Sequence, residues 1–520
     1  MYLTRILILF TLIGIVSCSK TSQNSAQNLS ETVTFSADST LVDGEVLARG
    51  YCSSCHLFPE PSSLDSVSWK YGVLPKMAEF LGTQGEQNNP FASFSPSEID
   101  ALIRGRVFPD RALMTARQWK EIVKYYVNNA GPKILHNTEP KVGTKLSGFS
   151  AEILPFHRNK QSFVSMTKYD PHTGSFFIGE VGGGLFQLDQ TGNVKDSLFF
   201  ESTPSDYVWN SKNQAQVLTM GIMKPSDLRV GKVHRAGKSD TATIVKNLGR
   251  PVEITYSDLS GDGEDDLIVC QYGYFTGKFS WFDMKNGKPM REHVLIELPG
   301  ARNVKVTDLN HDNRPDILVL MAQGNEGIFY FENKGRGKFE QKILLRFPPV
   351  YGSSYFELVD FNKDGFPDIL YANGDNADYS YTIKKYHGVR LFLNNGKNDF
   401  KEAWFYPMPG AFKAMAADLD QDGDYDIAAT SFFPDFEVNP HRSFVLLENK
   451  GDLKFEASTC KEANLGRWLT MDIGDIDKDG DSDILLGSFT YSPTPVPEKL
   501  KALWAKERVN MLILRNKLKK

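Results

Sequence analysis

The chain has 520 residues, which is too long for one ordinary hydrophobic core, so two or more domains are expected. Its hydrophobic content of 41% is typical of a soluble globular protein, and its formal net charge of -5 gives no support for nucleic-acid binding.

The first 18 residues predict export. Arg5 precedes an apolar run, Ile6 to Val16, which is too short to remain in a membrane as a span. The stretch that ends at Cys18 resembles a bacterial lipobox, which would make Cys18 the lipidated first residue of the mature protein. A plain signal peptide with an incidental cysteine is the alternative. Residues 19–37 are rich in Ser, Thr, Gln and Asn and predict a flexible tether to the bacterial outer membrane, on its periplasmic or cell-surface side.

A C-x-x-C-H motif opens the next region, residues 38–135, which is predicted to be a small helical domain. Cys52 and Cys55 are spaced so that both can attach to one haem, and His56 can ligate the iron from the same turn. A redox dithiol would need a thioredoxin-like setting, and a zinc site would need another Cys or His pair, yet the next histidine is His136. The motif therefore predicts one covalently bound haem c.

Helices are predicted on both sides of the motif, over residues 41–51 and 115–128. The stretch Cys-x-x-Cys-His-Leu-Phe-Pro-Glu-Pro, followed by Trp69 and Leu-Pro-Lys-Met, resembles the cytochrome-like domains fused to repeat lipoproteins of Bacteroidetes-type bacteria. That resemblance favours Met77 as the sixth iron ligand. Met114, just before the last helix, is the other candidate, and simple core filling is the alternative for either methionine. A methionine ligand suits electron transfer more than oxygen chemistry.

A nine-residue acidic loop then occurs five times, with its copies 50, 52, 58 and 57 residues apart. Oxygen-bearing side chains alternate at positions 1, 3 and 5, and glycine, or once Asn313, permits a tight bend at position 6. Such loops suit a hard cation with many oxygen ligands, and calcium is the natural candidate, with about five ions per chain. The predicted metal-site residues, by loop, are Asp258, Ser260, Asp262, Glu264 and Asp266; Asp308, Asn310, Asp312, Arg314 and Asp316; Asp360, Asn362, Asp364, Phe366 and Asp368; Asp418, Asp420, Asp422, Asp424 and Asp426; and Asp475, Asp477, Asp479, Asp481 and Asp483.

These loops have two other interpretations. Ordinary Asx turns would explain one copy, but five copies in phase, each crowded with carboxylates, favour a bound cation. An EF-hand needs a bidentate Glu at position 12, where this chain has apolar or aromatic residues inside a predicted strand: Val269, Val319, Tyr371, Ala429 and Leu486. The loops are therefore predicted to connect strands.

Around the loops runs a repeat of about 50 residues with four predicted strands, which is typical of a propeller blade. It resembles the FG-GAP/VCBS repeats of integrin-α-like propellers. The chain stops before the outer strand of its last unit, and residues 148–154 match that missing strand, so the N-terminal strand is predicted to close the ring. Two further units fit residues 160–200 and 205–248, giving seven blades over residues 145–520, five of them with metal loops.

Three arginines follow the glycines that open predicted inner strands: Arg250, Arg302 and Arg467. They would form a rim opposite the calcium loops that suits an anionic ligand or an acidic docking surface, unless each only solvates a strand start. Cys270 and Cys460 lie in different repeats and are predicted to be packed thiols.

Together these features predict a multidomain chain, with a small all-α cytochrome c-like domain followed by an all-β seven-bladed propeller. The expected function is electron transfer at the cell envelope, with the propeller docking a redox partner or extracellular ligand. The alternatives are a propeller dehydrogenase, an oxidoreductase that passes substrate electrons to its own haem, and a carbohydrate- or protein-binding scaffold with a haem sensor. No catalytic motif is found, and the fold alone cannot choose between these.

Overall fold

A computed structural model describes residues 43–83, 89–135, 140–156, 161–237, 242–375, 379–491 and 494–518. These residues belong to one folded unit, Val42–Lys520. The predicted signal sequence with Cys18, the predicted tether of residues 19–37, and His136 lie outside the described residues. Within the described ranges, no helix is long and apolar enough to cross a membrane.

Among the described residues, five α-helices precede the first strand, and a sixth lies near the C-terminus. Their bounds are α1 Gly44–Cys52, α2 Ser66–Ser68, α3 Leu74–Phe80, α4 Pro96–Arg104, α5 Ala116–Asn128 and α6 Glu498–Glu507. The predicted helices over residues 41–51 and 115–128 correspond to α1 and α5. Thr115 and Gln118 form a reciprocal capping box that fixes the start of α5.

The helices before the propeller share an apolar core. Leu47 of α1, Trp69 and the α5 residues Ile122 and Tyr126 are at most 1% exposed and pack in one cluster. The Tyr126 hydroxyl donates a 3.0 Å hydrogen bond to the carbonyl of Pro59, which ties α5 to the segment after the C-x-x-C-H motif.

Most of the remaining regular structure in the described chain consists of strands, arranged as antiparallel sheets of four. The strands are β1 Phe149–Ile153, β2 Val164–Asp170, β3 Ser175–Glu180, β4 Gly184–Leu188, β5 Val194–Phe199, β6 Pro204–Trp209, β7 Ala215–Thr219, β8 Gly231–Arg235, β9 Thr243–Leu248, β10 Pro251–Ser257, β11 Asp266–Gln271, β12 Lys278–Lys285, β13 Lys288–Ile296, β14 Ala301–Thr307, β15 Asp316–Met321, β16 Gly327–Asn333, β17 Phe339–Arg346, β18 Ser353–Val359, β19 Asp368–Asn373, β20 Gly388–Asn394, β21 Phe400–Pro407, β22 Ala411–Ala417, β23 Asp426–Ser431, β24 Phe444–Asn449, β25 Phe455–Ser458, β26 Trp468–Gly474, β27 Asp483–Ser488 and β28 Met511–Asn516.

Seven sheets give a seven-bladed propeller, as the repeat predicted. Six sheets use four consecutive strands, and the seventh has the order β1-β28-β27-β26. Phe149 of β1 pairs with Asn516 of β28, and Ile153 pairs with Leu512. The predicted closure of the ring by the N-terminal strand is therefore confirmed.

The innermost strands hold neighbouring blades together by side-chain hydrogen bonds, one or more across each of the seven interfaces. In ring order the bridges are Ser165 to the Pro204 carbonyl, Asp206 to the Ile254 amide, Asn303 to Glu253, Asn303 to the Phe356 amide, Glu357 to the Ala416 amide, Lys413 to the Met471 carbonyl and Asp472 to the Tyr169 amide. In most of these bridges, a side chain of one inner strand forms a hydrogen bond with a backbone group of the neighbouring inner strand. The bridges therefore also fix the position of each blade along the axis of the channel.

Arg515 connects the closing strand to its blade. Its Nε lies 3.1 Å from Glu152 of β1 and its Nη1 lies 3.2 Å from the fully buried Asp483. Breaking a buried pair by removing one partner costs about 3 to 5 kcal/mol, since it leaves an uncompensated buried charge. We expect Arg515→Leu to lower the free energy of unfolding by about 3 kcal/mol, measured by urea denaturation. Lys517→Leu, at an exposed position just past β28, is the control, and an equal loss in both variants would contradict the role given to Arg515.

Candidate functional site

The C-x-x-C-H motif lies where α1 ends. Cys52 is the last residue of the helix and is half-buried, whereas Cys55 is exposed. Both are free thiols, and burial raises the pKa of Cys52 to about 11, so its thiol is neutral near pH 7. The Nδ1 atom of His56 lies 2.9 Å from the carbonyl oxygen of Leu57, and burial lowers the pKa of His56. A neutral imidazole that donates from Nδ1 leaves the Nε2 lone pair available to a metal.

The two candidate methionines differ in their surroundings. Met114 is 6% exposed and belongs to the core cluster against which Cys52 packs. Met77 lies on α3, is half-buried, and is outside that cluster as the described residues define it. The structure thus brings Met114 into the same core as Cys52.

The helical segment packs on one end of the propeller. Phe275, in the connection from β11 to β12, contacts the rings of Phe80, Phe94 and Phe108 at 5.6 to 5.9 Å between centroids. Polar contacts flank this cluster: Ser226 donates to Glu98 at 2.7 Å. Further along the same end, the Tyr386 hydroxyl donates to the carbonyl of Ser63 at 3.2 Å. The helices and the propeller therefore form a continuous packed interface.

The five acidic loops connect the first and second strands of their blades, at the opposite end of the propeller. All five have the same backbone shape, with positive φ at positions 4 and 6. In each, the amide of position 6 donates to the carboxylate of position 1, as from Gly263 to Asp258 at 2.8 Å. The equivalent bonds in the other loops are Asn313 to Asp308, Gly365 to Asp360, Gly423 to Asp418 and Gly480 to Asp475. Position 6 favours glycine because its φ lies between +63 and +95°.

In each of two acidic loops, three carboxylates lie close together. One oxygen from each of Asp418, Asp420 and Asp422 lies within 4.8 Å of the others, as do oxygens of Asp475, Asp477 and Asp479. Burial, together with the neighbouring carboxylate of Asp422, raises the pKa of Asp420. The buried Oδ1 of Asp418 and Oδ2 of Asp479 have no hydrogen-bond partner among the described residues. Oxygens at this spacing and without donors fit a cation held at 2.3 to 2.6 Å by each of them.

The aspartate at position 9 has a second role that sequence reasoning missed. One oxygen of Asp316 accepts from the amide of Leu309 in its own loop, at 3.1 Å, and the other accepts from the amide of Asn333 at the end of the third strand, at 2.7 Å. The other four loops repeat this pair of bonds at Asp266, Asp368, Asp426 and Asp483. Position 9 therefore ties the loop to the sheet, whether or not it also ligates a cation.

Arg250, Arg302 and Arg467 lie together at the end of the channel nearer the helices. All three guanidinium groups are close enough to Asp375 to lower its pKa, against a larger opposite effect of burial. Arg302 is the second residue of the inner strand β14, and the acidic loop at Asp308 follows the other end of that strand. A strand of seven residues is about 20 Å long, and this distance separates the arginines from the acidic loops.

Sequence reasoning did not find the other residues around these arginines. Asp375 follows β19 in a long connection without a repeat signature. The sequence does carry a signal for Phe412. Gly410-Ala411-Phe412 has the same spacing as Gly300-Ala301-Arg302, so Phe412 occupies the position in its inner strand that Arg302 occupies in another. Its ring lies 4.9 Å from the Arg302 guanidinium.

The chain is similar to solved structures at low identity, and part of it matches a repeat family. "Structure of U3-55K" is 9% identical with a TM-score of 0.43, covering 70% of this chain and 98% of that one. "Crystal structure of RRP9 WD40 repeats" is 10% identical with a TM-score of 0.44, covering 72% and 99%. None of the curated proteins matches the chain. Residues 308–371 match the FG-GAP-like repeat family, so the FG-GAP part of the sequence prediction is confirmed.

Proposed function

We propose that this chain is a cell-envelope c-type cytochrome that transfers electrons, and that its propeller is a calcium-stabilised module that binds a redox partner or ligand. One observation carries the first half: Cys52, Cys55 and His56 lie at the end of α1, with His56 Nδ1 on the carbonyl of Leu57. The FG-GAP repeats and the seven-bladed ring support the binding module.

The side chains fit a covalent haem. Two unpaired thiols are present for thioether bonds, and the neutral His56 has the tautomer that a proximal ligand needs. Haem bound here would supply one-electron redox chemistry. The protein would hold it through Cys52 and Cys55, ligate it through His56, and surround it with the apolar core that includes Leu47 and Trp69. An apolar surround excludes water and tunes the potential.

The sixth ligand is tested by substitution. The sequence resemblance favours Met77, whereas membership of the cluster against which Cys52 packs supports Met114. We expect Met114→Ala to abolish the methionine-to-iron charge-transfer band of the oxidised protein and to lower its reduction potential, because a thioether ligand raises the potential. Met77→Ala is the matched control.

Loss of the band in Met77→Ala alone would show that Met77 is the ligand and that Met114 is a core residue. A band that is unchanged in both variants would make another methionine the ligand, and absence of the band from the wild type would give the iron a different ligand or an open position. An open position would contradict a simple electron carrier.

The acidic loops are proposed calcium sites, about five in number, at positions 1, 3, 5, 7 and 9. The carboxylates of Asp418, Asp420 and Asp422 support this, since they lie within 4.8 Å of one another and one buried oxygen lacks a donor. We also propose export and lipid anchoring through Cys18, on the sequence alone.

A further inference from the structure

The connection from β17 to β18 belongs to the propeller but packs in the core of the helices. Residues 347–352 form this connection. Its Val350 is 7% exposed and is a member of the cluster that contains Met114 and against which Cys52 packs. Tyr351 packs against the same cluster. The apolar surround of the C-x-x-C-H motif is therefore built by both parts of the chain.

Aromatic and polar contacts hold this connection in place. Tyr351 stacks on Tyr386, with 5.0 Å between the ring centroids and 12° between the ring planes. Tyr386 also packs against the cluster, and its hydroxyl donates to the carbonyl of Ser63 at 3.2 Å. At the other end of the connection, Phe347 stacks on Tyr371 of β19, with 4.3 Å between centroids. The connection is thus fixed to the helices on one side and to the propeller on the other.

Arg346 is the last residue of β17 and directly precedes this connection. Its side chain is exposed and has no hydrogen bond or ion pair among the described residues. Burial lowers the pKa of His56, and the positive charge of Arg346 is close enough to add to that effect. Arg49 of α1, by contrast, forms ion pairs with Glu45 and Glu60. The end of β17 therefore places an unpaired guanidinium group near the motif.

The chemistry of this guanidinium suits the periphery of a haem. A haem carries two propionate carboxylates, and a carboxylate at the border of an apolar core is costly unless it is paired. The planar fork of an arginine binds a carboxylate through two parallel hydrogen bonds, which are stronger than those between neutral groups.

We propose that the propeller completes the haem pocket, with Val350 as part of its apolar lining and Arg346 paired with a haem propionate. The inference rests on the proposed function, because it requires haem at Cys52 and Cys55. It goes beyond that function by making the haem site a joint product of the helices and the propeller.

The first test is a redox titration of the full, haem-loaded chain in Arg346→Gln, with Arg336→Gln as the matched control. Arg336 is exposed in the hairpin before β17, at the opposite end of that strand, so the same charge is removed at a different place. Loss of a cation beside the haem favours the ferric state. At a fixed applied potential, the ratio of ferric to ferrous haem should rise at least about threefold in Arg346→Gln, which is a fall of about 30 mV for a one-electron couple. Arg336→Gln should leave the potential unchanged, and Arg346→Lys, which keeps the charge, should recover most of it.

The second test addresses the lining. Val350→Thr changes the volume little and adds a hydroxyl group, and a more polar surround stabilises the charged ferric haem, so the reduction potential should fall. Val389→Thr is the matched control, because Val389 is fully buried in a core cluster of one blade. It should leave the potential unchanged.

An unchanged potential in either Arg346→Gln or Val350→Thr would overturn the proposal, and so would an equal fall in the matched control. The propionate bending bands of the resonance Raman spectrum report the contact itself and should shift in Arg346→Gln. If they do not shift, the charge acts only at a distance and the pairing is overturned. Haem staining of the same samples separates the two proposals. Matured wild type without haem would reject the cytochrome, whereas haem-loaded protein with an unchanged potential in the variants would reject only the joint pocket.

Discussion

Replacing both Cys52 and Cys55 by serine should abolish covalently bound haem while leaving the propeller folded. Thioether attachment needs these thiols, and Cys52 packs against a cluster built mainly by the helices, which also takes in Val350 of the propeller, whereas the blades have core clusters of their own. Haem staining after denaturing electrophoresis measures attachment, and the thermal transition of the β-sheets measures the propeller. The expected loss of stain is complete, in a host that matures c-type haem.

Cys460→Ser is the matched control, since Cys460 is a buried free thiol in a core cluster of the propeller. It should keep full haem stain. Stain that persists in the double variant would place attachment elsewhere, and absence of haem from the matured wild type would reject the cytochrome proposal.

Removal of calcium is expected to have the second large effect. A ligand that binds only the folded state stabilises it by about 2.7 kcal/mol when its concentration is a hundred times Kd. With several such sites, excess chelator should lower the Tm of the propeller by about 10 °C or more, because each kcal/mol corresponds to about 2 to 4 °C for a domain of moderate size. The haem spectrum should not change, since the acidic loops lie at the end of the propeller away from the helices.

Substitution separates calcium binding from a general effect of the chelator. The double variant Asp418→Asn and Asp422→Asn removes two carboxylates of one loop and should lose part of the calcium-dependent increase in Tm. Asp452→Asn, in an exposed hairpin of the same blade, should keep all of it. A thermal transition that is the same in calcium and in chelator would reject the metal assignment.

The sequence was sufficient for the ring because its information there is local and repeated. Five loops in phase set the blade length, and the match of residues 148–154 to an outer strand predicted the β1–β28 pairing that the structure confirms. The helices α3 and α4 were not predicted, since short helices depend on tertiary packing more than on propensity.

The candidate sites were predictable only in part. Asp418 and its neighbouring aspartates are close together in the sequence, so the sequence alone predicts that their carboxylates are close in space. The grouping of Arg250, Arg302 and Arg467 around Asp375 joins residues from several blades and a long connection, and only the closed ring brings them together. Likewise, nothing local distinguishes the position 9 aspartates as ties to the third strand, because their partners are backbone amides of the sheet.

The side-chain bridges between inner strands have a consequence for how this fold can diversify. They align the blades near the axis, so the connections at the helical end need not contribute to alignment. The connections between the second and third strands range from residues 181–183 to residues 489–510, which include α6. Every acidic loop, in contrast, spans eight residues between its strands. Insertions and deletions can therefore accumulate at the helical end without disturbing the ring, which leaves that end free to evolve new recognition while the acidic loops stay constant in length.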